Sequence, residues 1–235
     1  MLGALEDQLN AVDVLTSCGD ERGLGRVMHS LGSIYDTIGE PSVALEHYEH
    51  AIQLQIRTGD TWGEARTRNG FAITMAQGDQ YEEAAAAFAE VADRFAAAGD
   101  QWWVLMARIN RAITLLEKMQ AGETPQEDVQ EIGRELLAEC DDVIAEAGAM
   151  NKSGLSAELY ARHCRAGLLY EVGDYRGSLD EVNLALPKTT RAGDATLIVN
   201  MEMHAARAEE ALGQPDSVLE RLDRAEELAR MAGRD

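Results

Sequence analysis

A glycine, four times followed by aspartate, returns along this chain every 40 to 49 residues, and that recurrence limits its fold more than any other feature. Gly19-Asp20, Gly59-Asp60, Gly99-Asp100, Gly148, Gly193-Asp194 and Gly233 are spaced 40, 40, 49, 45 and 40 residues apart. A second series, Gly39, Gly78, Gly122, Gly173 and Gly213, falls between them. Each half-interval carries apolar residues at helical spacing, as in Leu31, Ile34, Tyr35 and Ile38. The pattern predicts helices each ended by a glycine, with no period-2 strand segments. A period of about 40 residues built from two helices is the signature of a solenoid, in which each hairpin buries its apolar face on its neighbours.

The expected capping follows the same frame. Asp20, Asp60, Asp100 and Asp194 stand where the first helix of a hairpin needs an N-cap. Pro41, Pro125 and Pro215 stand where a second helix should begin, since proline's missing N–H costs nothing in a first turn. Thr124 and Glu127 add a capping box at the third of these. Pro187 falls late in a second helix and is expected to end or kink it. The frame is a leading helix over 2–18 and hairpins from about 20, 60, 100, 150 and 194, taken as one domain over 1–235. The extra length of the third repeat, with a second helix from Pro125 to about Ala147, is read as lengthening the stack.

The stretch LGSIYDTIGEPSVALEHYEHAI, residues 31–52, resembles a tetratricopeptide repeat (TPR), with Leu31-Gly32, Tyr35, Gly39, Ala44, Tyr48 and Ala51 at that family's signature spacings. Small Gly32 and Ala44 let two helices touch, and Tyr35 and Tyr48 fill the space beside them. Looser matches follow at Phe71-Ala72, Met75, Ala84 and Phe88, then at Ala166, Leu169 and Ser178, then at Ala206, Val218 and Leu222. The interval exceeds the family's usual ~34 residues and resembles the long-helix variety of bacterial regulatory proteins. The resemblance implies an all-α protein, a right-handed α-solenoid of TPR-like hairpins with about 11 helices, acting as a non-catalytic protein–protein interaction module.

Composition narrows the function. With 42 Asp and Glu against 21 Lys and Arg, the chain carries a formal charge of −21 and would repel nucleic acid. No window approaches a membrane span of roughly 18–20 apolar residues, and the first residues lack the basic and apolar regions of a signal peptide. Three scattered cysteines fit reduced thiols, so a cytoplasmic location is expected.

Candidate sites come from aligning the hairpins on Gly32, Ala72, Ala112, Ala166 and Ala206. Seven arginines, at 26, 66, 68, 108, 111, 162 and 165, then crowd the first helices, which would line the concave face. The expected partner-binding set is Arg26, His29, Arg66, Arg68, Asn69, Arg108, Tyr160, Arg162 and His163. It would take a peptide or protein segment, acidic if held by the planar arginine forks. The alternative is that these arginines pair with the acids of the second helices, and both outcomes stay open. A carboxylate clamp for chaperone tails is not supported, since Arg66 and Asn69 match its pattern only loosely. His47 and His50 in EHYEH lack a third ligand, so no metal or other cofactor is expected. His163-Cys164 are neighbours that point apart on a helix. Trp62 and Trp102 keep the repeat interval and are read as packing between hairpins.

The closing ERLDRAEELARMAGRD has no polar capping helix and resembles the helical lead-in to bacterial diguanylate cyclase domains, with Asp235 as the first residue of their opening Asp-x-Leu-Thr-Gly. The expectation is the regulatory part of such a signalling protein, or alternatively the arm of a bacterial transcriptional regulator. A homodimer is compatible with either.

Overall fold

The computed structural model describes residues 2–232. Among them are eleven α-helices and no strand: α1 Leu2–Cys18, α2 Glu21–Thr37, α3 Pro41–Thr58, α4 Thr61–Gln77, α5 Tyr81–Ala97, α6 Gln101–Gln120, α7 Val129–Ala149, α8 Leu155–Glu171, α9 Tyr175–Ala192, α10 Ala195–Ala211 and α11 Pro215–Ala232. One 3₁₀ turn, Asn151–Gly154, joins α7 to α8. The fold is all-α and built of TPR-like hairpins. The chain divides into two compact units, residues 1–114 and 115–235. Gly233 and Asp235 lie outside the described residues.

The helix ends show why the chain turns where it does. Gly59 and Gly193 take φ of +66° and +78°, a left-handed conformation that lets a helix stop within one residue. The side chains of Asp20, Asp60 and Asp194 then accept hydrogen bonds from the N–H groups of Gly23, Gly63 and Leu197, opening the next helix. Asp174 does the same for Gly177 at the start of a second helix. Pro41 and Pro215 are the first residues of α3 and α11.

Four local expectations are corrected. The left-handed residue after α4 is Asp79, at φ +60°, with its carboxylate accepting from the Tyr81 hydroxyl at 2.8 Å; Gly78 stays at φ −94°. Gly148 lies inside α7, and Asn151, at φ +58°, makes the break instead. Asp and Asn are the non-glycine residues that best tolerate that region.

Thr124 does not cap a helix, and Pro125 does not begin one. Residues 125–128 form a turn, closed by the Asp128 N–H on the Pro125 carbonyl, and α7 starts at Val129. Tertiary packing sets that start: the Gln130 amide donates to the Val172 carbonyl, and Gly133 leaves the room that the Val172 side chain fills. Pro187 neither ends nor breaks α9, which runs on to Ala192. Val182, Ala185 and Thr189 are buried on both sides of the exposed proline. Their packing offsets the lost hydrogen bond and the ring's clash with the carbonyl four residues earlier, together about 3 kcal/mol.

In the first unit, α2 and α3 close on Met28, Leu31, Ala51 and Leu54. Next to them α4 and α5 close on Ala72, Ala84 and Phe88. Trp62 works between repeats: its indole N–H donates to Asp100 at 3.2 Å, and its ring meets Phe95 and Trp103 edge-on. In the second unit, α8, α9 and α10 enclose Leu159, Val182, Leu197 and Met201.

Candidate partner-binding surfaces

Six of the nine residues expected to bind a partner fall into two groups. One group ties consecutive first helices together. His29 of α2 shares a hydrogen bond with Thr67 of α4 at 3.2 Å, and the Asn110 amide of α6 donates to Asn69 of α4 at 3.2 Å. In the second unit the Tyr160 hydroxyl donates to Asp194 at 2.9 Å, and the rings of His163 and His204 meet at a tilt of 41° with centroids 4.8 Å apart. Burial together with Asp194 pushes the Tyr160 hydroxyl up to about 12.

The other group is ion-paired, Arg68 with an acid of its own helix and Arg162 with acids of its own helix and of α9. Arg68 pairs with Glu64 at 2.8 Å, and Arg94 of α5 reaches the same carboxylate at 3.0 Å. Arg162 binds Glu158 and Glu181, and Arg165 binds Asp141 and Glu181, all within 2.9 Å. Glu181 is 8% exposed, so two guanidinium groups compensate one buried carboxylate. Arg108 and Arg111 interact with neighbours as well. Arg66 lies 5.6 Å from the Trp62 ring centroid. Arg26 is exposed and makes no ion pair among the described residues. Arg68, Arg162 and Arg165 are thus already engaged by carboxylates.

The buried histidines predict an acid response. Burial lowers His163 to about 4, opposed weakly by Asp194, and lowers His204 to about 3, with His163 and Arg207 adding to the effect. Both are neutral in the folded chain, whereas the unfolded chain protonates them near 6.5. Their stability contribution is thus complete above about pH 6.5 and lost progressively as the pH falls toward 4 and 3, a loss on the order of 8 kcal/mol for the pair by pH 3. Urea midpoints at pH 7 and pH 4.5 should converge in His204→Phe relative to wild type. An equal pH drop in both proteins would show that the pair does not titrate on unfolding.

His47 and His50 do not converge. His47 stacks on Tyr35 at 5.1 Å, while His50 is exposed. Among the described residues no three His, Cys, Asp or Glu side chains are grouped to hold a metal ion. His163 and Cys164 diverge as well: Cys164 is buried beside Cys140 of α7.

An open groove of about 780 Å³ lies in the first unit, bounded by α3, α4 and α5. Ile52, Phe71, Met75 and Ala87 make its floor. Glu46, Glu49 and Glu90 stand exposed along its edges, joined by His50, Gln53 and Arg68. The volume lies within the ~300–1,000 Å³ of ligand pockets, and the apolar floor with polar edges is the usual composition of one. In the sequence, Phe71 and Met75 mark only repeat spacing, and the acids of the second helices stand as possible partners of the arginines.

No family profile and no curated protein matches the chain. Solved structures do. A kinesin light chain-like protein of Podosopora anserina with nearly identical TPR-like repeats aligns at 18% identity with a TM-score of 0.59, covering 89% of this chain and 97% of that one. A single-substitution variant of it gives a TM-score of 0.62 over 89% and 96%. BtubC from P. vanneervenii aligns at 14% identity with a TM-score of 0.65, covering 97% and 91%. At these identities the likeness is one of fold: the chain is similar to TPR-like helical repeat proteins. No described helix is long and apolar enough to cross a membrane.

Proposed function

We propose that this protein is an interaction module that holds an extended segment of a partner protein in the α3–α4–α5 groove and catalyses no reaction itself. The observation that carries the reading is the groove, where apolar side chains of a first helix remain accessible between two second helices. It lies open along its edges, as suits a chain segment laid across it. The first-helix face supports capture of an acidic segment less well, because Arg68 and Arg162 are already paired and His29, Asn69, Tyr160 and His163 join repeats. Within this reading we place the module in the cytoplasm as the regulatory part of a bacterial signalling protein such as a diguanylate cyclase, supported by the likeness of residues 220–235 to the lead-in of such domains. The encoding reading frame tests that placement.

The binding site is tested with a random peptide library selected on the wild-type protein. Ala87→Trp fills the groove floor without altering charge. The selected peptides should lose about tenfold or more of their affinity for this variant, the equivalent of one well-buried apolar contact. Peptides that bind the variant as tightly as wild type would place recognition elsewhere.

A further inference from the structure

Resting on the groove as the binding site, we infer that its occupant is a cationic, apolar peptide segment: lysine or arginine alternating with large aliphatic or aromatic side chains. The edge carries three glutamates, Glu46 and Glu49 on α3 and Glu90 on α5, so negative charge faces the groove from both sides. None of the three makes an ion pair among the described residues, and all are exposed. The one arginine of the lining, Arg68, is spent on Glu64, whose carboxylate also takes Arg94. A segment entering the groove therefore meets unpaired carboxylates above an apolar floor of Phe71, Met75 and Ile52.

Charge of one sign along a cleft selects the opposite charge and speeds its arrival. The floor supplies the affinity that exposed ion pairs alone do not. An acidic segment, the partner expected from the arginine count, would be repelled here. The body of the protein acts in the same direction, since the chain carries −21 overall. For this reason the test must separate local from general attraction.

The probe is a fluorescein-labelled peptide of alternating lysine and leucine, with a glutamate–leucine peptide as its counterpart. Binding is followed by fluorescence anisotropy at physiological salt. The lysine peptide should bind at one site per chain and the glutamate peptide should not. Combined Glu46→Lys, Glu49→Lys and Glu90→Lys should weaken the lysine peptide about tenfold or more, as expected for three lost attractions turned repulsive. Glu131→Lys, Glu135→Lys and Asp142→Lys change the net charge equally from exposed positions on α7 and should weaken it less than about threefold. Equal weakening by the two triple variants would overturn the inference, since attraction would then follow net charge. If groove-dependent library peptides prove acidic or uncharged, the groove reading stands and the charge selection falls.

Discussion

Tyr48→Ala is expected to cost the first unit about 3–5 kcal/mol, the range for deleting a buried aromatic side chain. Tyr48 is 3% exposed and its ring occupies a slot left open by two glycines on consecutive first helices. A Cβ on Gly32 of α2 would lie 2.6–2.9 Å from the ring, and one on Gly70 of α4 would lie 3.0 Å from it. Burial, with Asp36 adding, raises the Tyr48 hydroxyl to about 12, against a hydrogen bond with Ser33. One second-helix side chain thus fastens two hairpins. Gly32→Ala alone should cost about 1–3 kcal/mol through overpacking. In the Tyr48→Ala background the same change should cost nothing or gain up to about 1 kcal/mol of helix propensity. The cycle measured by urea unfolding should show a coupling above about 1 kcal/mol. Additive costs would mean that ring and glycine do not share the slot.

Arg221→Met should be comparably severe in the second unit. Arg221 of α11 is 9% exposed and donates to Glu202 and Glu209 of α10 and to Asn183 of α9 at 2.9–3.2 Å. Both carboxylates are nearly buried, at 3% and 5% exposure, so losing the guanidinium strands charge inside the unit. Removing one partner of such a buried network costs about 3–5 kcal/mol. Arg224 still reaches Glu202, which leaves Glu209 as the more exposed liability. In a helical repeat the damage should stay local, so α11 and the facing side of α10 should lose amide protection first. Adding Glu202→Gln and Glu209→Gln to Arg221→Met should restore most of the loss, because the stranded charges are gone. If the triple variant is no better than the single one, packing by the arginine stem is the dominant contribution.

These two sites also show what the sequence carries and where it stops. Gly32 and Tyr48 were readable because a small residue and a ring at fixed spacing describe one packing event. The hairpin frame was readable because a left-handed stop and an aspartate cap are local chemistry. A fuller local signal was present too: Asp20, Asp60 and Asp174 are each followed three residues later by glycine, and a Cβ there would press into the capping carboxylate at 2.3–2.8 Å. That Asp-x-x-Gly pattern marks α9, whose cap the Gly-Asp spacing alone missed. At Pro125 a local first-turn preference was treated as decisive where the packing of α7 on Val172 sets the helix start, and at Pro187 a local penalty was, where α9 runs on to Ala192 among buried neighbours.

The site was less legible than the fold. Residue counts put Arg68 with Arg66, and Arg162 with His163, as one stripe. On a helix Arg162 and His163 diverge, so the arginine reaches Glu181 of α9 and the histidine meets His204 of α10, while Arg68 pairs with Glu64 of its own helix. Which acids those arginines neutralise depends on tertiary pairing across tens of residues, as with Arg165 and Asp141. The groove emerges only once those pairs are subtracted, leaving Glu46, Glu49 and Glu90 with no ion pair among the described residues.

Hydrogen exchange of the whole chain, with and without the lysine–leucine peptide, tests the central claim most directly. Added protection should concentrate in α3, α4 and α5, at the residues around Glu49, Phe71, Met75 and Glu90. Protection along α2, α8 and α10 instead, or none in α3 to α5 at saturating peptide, would contradict it.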